Sequence, residues 1–379
     1  MSIVYVLVFF LTCFLFSYVE RNQNISFLKW VFIVPFCVLV ASRSIDVPDT
    51  DVYMTYFFNE DSSLIYYVDY GFEIGFQVLT KLLKNITEEN FRIYFALITL
   101  LNLIVIDYAA KRIFSVFQKE QTEPTINSNL YEYQNDATQG RHLSIIALTL
   151  YVAFFGLYVN AVVLRAGLAF SLMVLATSFA IDIRKKSDYI IIASLLLLAY
   201  FFHNTALLGV FIVLVLMFSK KFTLNTYLVF SVIIGVIYFV NLTPRLGSTV
   251  FDLILSLNNL TVVAYKLSEY GGASLFVSEG ISMKFTFFWM ISFILPMNDT
   301  SSKSYYKFLN VYFIGLAVFA FMRSVLLVER VTDYFLLFSF VLFYLYLIRQ
   351  NNFKFWAYYI GMVLVQIVFV MRIINREML

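Results

Sequence analysis

The chain has 379 residues, of which 61% are hydrophobic and only 13% charged, with a formal net charge of +3. A water-soluble domain carries about a quarter charged residues, so this composition excludes one, and it gives no reason to expect a nucleic-acid partner. Only helices and closed barrels satisfy their backbone in lipid, and the apolar runs far exceed the ~10-residue alternating strands of a membrane barrel. The expected fold is therefore an all-α polytopic membrane protein, a single integral membrane domain with no globular domain beside it.

Apolar runs predict about a dozen spans, over 2–19, 28–42, 91–110, 143–159, 162–182, 188–202, 205–218, 225–242, 284–297, 308–322, 334–348 and 354–371. Spanning a hydrocarbon core takes roughly 20 apolar residues, fewer when the bilayer thins locally. The first run lacks a basic leader and is followed by Glu20-Arg21-Asn22 rather than small residues, so it reads as a span and not a cleaved signal. Cys13 and Cys37 lie inside apolar runs, where a thiol behaves as a small hydrophobe. Neither is assigned a redox or metal role.

Sidedness follows from the basic residues. Loops after the odd-numbered spans hold Arg21, Lys29, Lys111, Arg112, Lys119, Arg141, Arg184, Lys185, Lys186, Lys220, Lys221, Lys303, Lys307, Arg349 and Lys354, which is 15 of the 27. Short basic loops stay cytoplasmic, so Arg184-Lys185-Lys186 and Lys220-Lys221 place both termini outside. The opposite face receives the long segments 43–90 and 243–283 and 15 of the 24 acidic residues. Within the first of these, Phe72, Phe76, Leu79, Leu82 and Leu83 recur at helical spacing over 71–84, which predicts an amphipathic helix lying in the interface. The cytoplasmic connection 111–142 contains a polar stretch, 118–140, expected to be partly disordered.

Several residues depart from what an ordinary membrane helix carries. Arg165 sits just inside a span, in Val162-Val163-Leu164-Arg165-Ala166-Gly167. It either snorkels to the outer surface or faces the bundle interior, which the small Gly167 and Ala169 permit. His203 stands at the outer tip of a hairpin, in Phe202-His203-Asn204-Thr205, either as a satisfied turn residue or as an acid or base. The stretch from Arg323 to Tyr334 holds two arginines seven apart, Arg323 and Arg330, which one helix would set on one face. Glu329 and Asp333, four apart, would form an adjacent stripe with Tyr334 beyond. A solvated connector with internal ion pairs is the plain alternative; a diphosphate site is the functional one, because arginine forks match phosphate oxygens. Arg43 opens the first external segment, followed by Asp46, Asp49, Asp51, Tyr53, Tyr56 and Glu73. Carboxylates and rings suit a sugar and equally an interfacial loop. Arg245 is a further external arginine. No Gly-rich phosphate loop, HExxH or Cys/His pairing appears, so no cofactor and no metal are expected. The topology brings Arg43, Asp49, Asp51, Glu73, Arg165, His203, Arg323, Glu329 and Arg330 to one face.

The order Arg43-x5-Asp49-x-Asp51-x-Tyr53, Glu73-x-Gly75-Phe76, Leu164-Arg165-x-Gly167-Leu168-Ala169, Phe202-His203-Asn204-Thr205-Ala206-Leu207 and Glu329-Arg330-x3-Tyr334 resembles the EpsG-like branch of the Wzy-type bacterial polysaccharide polymerases. Ala166 departs from the pattern, where a polar residue, often glutamine, would follow the arginine. The resemblance implies an O-antigen or surface polysaccharide polymerase of the inner membrane. Such an enzyme moves a growing glycan from one undecaprenyl-diphosphate carrier to another lipid-linked repeat unit at the periplasmic face. It further implies undecaprenyl-diphosphate-linked oligosaccharide and membrane lipid as partners, alongside a chain-length regulator and a flippase. On this reading Arg165, Arg323 and Arg330, with Arg43 as a further member, clamp the diphosphate. Asp49, Glu73 and Tyr334 complete the substrate-binding set, and the acceptor's proton goes to His203, ahead of Glu329 or Asp51. An O-antigen ligase and a lipid-linked-oligosaccharide flippase or transporter are the competing readings.

Overall fold

Residues 3–23, 25–58, 72–122, 141–241, 280–298, 302–323 and 328–376 are described by a computed structural model. Arg245, the core of the 243–283 segment and most of the polar stretch 118–140 lie outside the described residues. Helices form wherever the apolar runs allow, because in lipid each N–H must find its carbonyl within its own segment. In chain order they are α1 (Ile3–Asn22), α2 (Lys29–Ala41), α3 (Thr50–Phe58), α4 (Ile74–Ile86), α5 (Phe91–Thr122), α6 (Ser144–Ala161) and α7 (Leu164–Ala180). There follow α8 (Lys186–Phe202), α9 (Leu208–Phe218), α10 (Leu224–Val240), α11 (Met283–Ile291), α12 (Lys303–Phe321), α13 (Val328–Leu336), α14 (Ser339–Leu347) and α15 (Asn352–Arg376).

Among the described residues six helical stretches are long and apolar enough to cross a membrane: Val4–Asn22, Phe91–Gln121, Ser144–Ala161, Lys303–Phe321, Val328–Leu347 and Asn352–Phe369. The remaining six expected spans are also helical, as α2 and α7 to α11, but each falls short of 18 residues. The protein is thus a polytopic helical membrane protein, with six helices of full spanning length rather than twelve. The expected interfacial helix is α4. It buries Phe76, Gln77, Thr80 and Leu83, while Ile74, Val78, Leu82 and Ile86, four apart, line its exposed face. An apolar stripe of that kind belongs against lipid.

Helices in lipid gain little from apolar burial against one another, so close packing and buried polar bonds carry their association. Glycines mark the tightest approaches. A Cβ on Gly75 of α4 would stand 2.7 Å from the carbonyl oxygen of Phe201 on α8, and one on Gly167 would stand 2.7 Å from Asn102 Nδ2 on α5. At the end of α5 far from α4, a buried polar knot ties five helices. Lys29 Nζ donates to Asp107 (2.8 Å), and His142 lies between Asp107 (3.4 Å) and the Tyr344 hydroxyl (3.0 Å). Glu20 accepts from Ile145 N (2.9 Å), meeting an amide that the first turn of α6 cannot satisfy internally. Asp107 lies twelve residues beyond Phe95, about 18 Å along α5, so this knot is well separated from the residues considered next.

Candidate functional site

Glu73 is the centre of a polar cluster at the α4 end of α5. It precedes α4 in extended conformation, and its side chain is 3% exposed. Gly75 lets α4 meet α8 backbone to backbone at Phe201, which brings Glu73 beside His203 two residues on. Glu73 Oε2 accepts from Arg165 Nη1 (2.5 Å); Oε1 faces His203 Nδ1 (3.0 Å) and the Asn204 amide (3.3 Å). Burial by itself would raise the Glu73 pKa, but the His203 hydrogen bond and the Arg165 charge outweigh it and hold the carboxyl at about 2. At neutral pH Glu73 is therefore ionised and only accepts. The proton of this bond then sits on His203 Nδ1, and Nε2 is the ring nitrogen that Glu73 leaves unengaged.

Arg165 occupies the first turn of α7, where the positive end of the helix dipole works against a cation and favours an anion. Glu73 offsets that cost. The guanidinium also lies 4.6 Å over the Phe72 ring, which itself stacks on Tyr53 (5.5 Å) and meets Tyr56 edge-on (4.8 Å). Tyr53 and Tyr56 are buried. They back the arginine instead of offering free rings to a sugar, because α3 folds down onto Phe72 and Phe76.

Arg43 lies deeper than a clamp residue would. Only 7% exposed, it donates from Nη1 to the carbonyls of Asn160 (2.9 Å) and Ala161 (2.6 Å) and stacks 3.5 Å over Phe95. These carbonyls end α6, which carries a π turn over Val152–Gly156 and breaks before α7. A cation there satisfies the negative end of one helix just ahead of Arg165 on the next. Burial lowers the Arg43 pKa to about 9, which leaves it charged at neutral pH.

The remaining expected residues gather around α13. Tyr334 is buried, and its hydroxyl lies 2.5 Å from Thr205 Oγ1, two residues past His203. Arg330 is exposed, and Asp49 lies within electrostatic reach of Arg330, Arg165 and Arg43. Asp49 adopts φ 60°, a left-handed conformation that Asp tolerates better than most residues. Asp51 is exposed on α3. Arg323 and Arg330 do not share a helix face as their spacing led us to expect. α12 ends at Phe321, so Arg323 lies in the turn beyond it and donates to the Tyr238 carbonyl (2.8 Å), while Arg330 belongs to α13. Glu329 and Asp333 do share one side of α13, where both face Lys284 of α11, at 3.8 and 2.5 Å. Lys284 escaped the reading of the sequence, where it looks like a lysine flanking an apolar run.

A family model matches residues 26–378. The chain belongs to the EpsG family. Its members are polymerase-like membrane proteins of polysaccharide biosynthesis, and the matched range takes in every residue of the cluster just described. No curated protein and no solved structure matches the chain.

Proposed function

We propose that this EpsG-family protein is a Wzy-type polymerase: a twelve-span glycosyltransferase of the bacterial inner membrane, with its reaction at the periplasmic face. It transfers a growing glycan from one undecaprenyl-diphosphate carrier to a sugar hydroxyl of a second lipid-linked repeat unit. The observation that carries this reading is Glu73 holding Arg165 and His203 at once. One carboxylate thereby sets a cation for the leaving group and a base for the acceptor.

The acceptor oxygen attacks the anomeric carbon, and the bond from that carbon to the phosphate oxygen breaks. The electron pair leaves with undecaprenyl diphosphate, and the hydroxyl proton passes to His203 Nε2. Arg165 and Arg330 neutralise charge on the departing diphosphate, with Arg323 as the outlying member of the clamp. Asp49 and Tyr334 border the substrate, and Arg43 serves as a positioning residue beneath Arg165. Diphosphate is a good leaving group once its charge is met, so the reaction draws on fixed cations rather than on a cofactor. Against a transporter stands the knot of Lys29, Asp107, His142 and Tyr344, whose polar groups are paired with one another about 18 Å from Phe95.

Removing one fixed cation from such a site costs about 10²–10³ in rate. Strains carrying Arg165→Ala or Arg330→Ala at normal protein level are expected to show single-repeat glycan on a polysaccharide gel. Full-length chains in both strains would refute the clamp.

A further inference from the structure

A second polar cluster lies where α10, α11 and α13 meet. Ser282 caps α11, its Oγ accepting from Phe285 N (3.3 Å) and spending its single proton on Glu329 Oε1 (3.2 Å). Lys284, the second residue of α11, is bound closely to Asp333 Oδ1 (2.5 Å) and loosely to Glu329 Oε2 (3.8 Å). Tyr238 holds the frame. Its hydroxyl accepts from Ser282 N (2.7 Å), its ring stacks on Phe285 at 3.6 Å, and its carbonyl accepts from Arg323. Four residues from three helices are thus arranged around one carboxylate.

The two acids differ in what they have left to give. The Asp333 side chain is 9% exposed and its charge is met by Lys284; the Glu329 side chain is 40% exposed. A carboxylate offers about four lone-pair sites, and Ser282 and the distant lysine leave much of that capacity open. Of the two carboxylates Asp333 is closely paired with Lys284 and Glu329 is not, so Glu329 is the open acceptor here and suits a ligand that donates hydrogen bonds. A polyhydroxylated sugar is such a ligand. Position agrees: Tyr334, five residues or about 8 Å along α13 from Glu329, bonds Thr205 next to the His203 hairpin.

Building on the polymerase reading, we infer that Glu329, oriented by Ser282 and Lys284, forms a saccharide subsite that binds hydroxyls of the repeat unit and takes no part in holding the diphosphate carrier. Glu329 makes the contact. Ser282, Lys284 and Asp333 are positioning residues, and Lys284 has a specific duty: without it two carboxylates on one helix side would repel each other and Glu329 would turn away.

Two probes separate this subsite from the reading it rests on. Detergent-purified full-length protein is titrated calorimetrically with carrier-free repeat-unit oligosaccharide and, separately, with undecaprenyl diphosphate. Wild type is expected to bind both. Glu329→Gln and Ser282→Ala are expected to weaken oligosaccharide binding about tenfold, the loss of a charge-assisted hydrogen bond, with undecaprenyl diphosphate binding unchanged. Lys284→Met leaves Glu329 beside an uncompensated Asp333 and is expected to weaken oligosaccharide alone; Lys284→Arg, or Lys284→Met paired with Asp333→Asn, which removes the repulsion, is expected to restore it. The subsite is overturned if wild type binds undecaprenyl diphosphate but not oligosaccharide, or if Glu329→Gln binds oligosaccharide as tightly as wild type. Wild type that binds neither probe defeats the polymerase reading itself, and the subsite with it.

Discussion

Replacing Glu73 with glutamine keeps the shape of the side chain and removes the charge on which Arg165 and His203 both depend. Two routes give the size of the effect. The pKa falls from 4.5 to about 2 on folding, and at 1.36 kcal/mol per unit that is about 3 kcal/mol of stability. Breaking a buried ion pair by removing one partner costs about 3–5 kcal/mol, in agreement. The sign sets the pH window. A carboxyl whose folded pKa is depressed contributes fully above about 4.5 and loses that contribution as pH falls toward about 2. Unfolding by SDS in mixed micelles should therefore find Glu73→Gln about 3 kcal/mol less stable at pH 7, with the gap shrinking to about 1 kcal/mol at pH 3 as the carboxyl of the unfolded chain takes up its proton. A gap absent at neutral pH, or constant between the two, would mean that Glu73 is not the ionised partner of Arg165 and His203.

Other consequences are equally direct. Gly75→Ala places a methyl 2.7 Å from the Phe201 carbonyl oxygen, so α4 must shift and draw Glu73 off His203; we expect a loss of about 1–3 kcal/mol together with shortened glycan, read by the same unfolding assay and a polysaccharide gel. Asp107→Asn breaks the pair with Lys29 at the opposite end of α5. Because Lys29 is one third exposed, solvent screening brings the cost to or just below the low end for buried pairs, about 2–3 kcal/mol, while polymer length per folded molecule stays that of wild type. Shortened polymer in Asp107→Asn at matched protein level would show that the distant knot belongs to the reaction after all.

How far the sequence reveals this arrangement depends on the range of the interaction. Apolar run length is a local property, and each expected span is a helix. Helix ends are less legible: α11 stops at Ile291, six residues short of the expected 297, and α9 begins only at Leu208, after a 3-10 turn over Asn204–Leu207. The pattern Glu73-x-Gly75-Phe76 announced a special position, but its meaning lies in a carbonyl on α8, more than a hundred residues away. Spacing also misled where a helix was assumed to continue, and Arg323 fell outside the face assigned to it. Lys284 was invisible for a related reason. Nothing near it in sequence pairs with it, and Asp333 reaches it only once α11 and α13 pack.

The central claim is that the protein breaks the bond between glycan and carrier. Purified protein in liposomes loaded with undecaprenyl-diphosphate-linked repeat unit should release free undecaprenyl diphosphate in step with a ladder of longer lipid-linked glycans, and His203→Ala should do neither. Lipid-linked repeat unit that crosses the bilayer intact, with no carrier released, would contradict the account and identify a transporter.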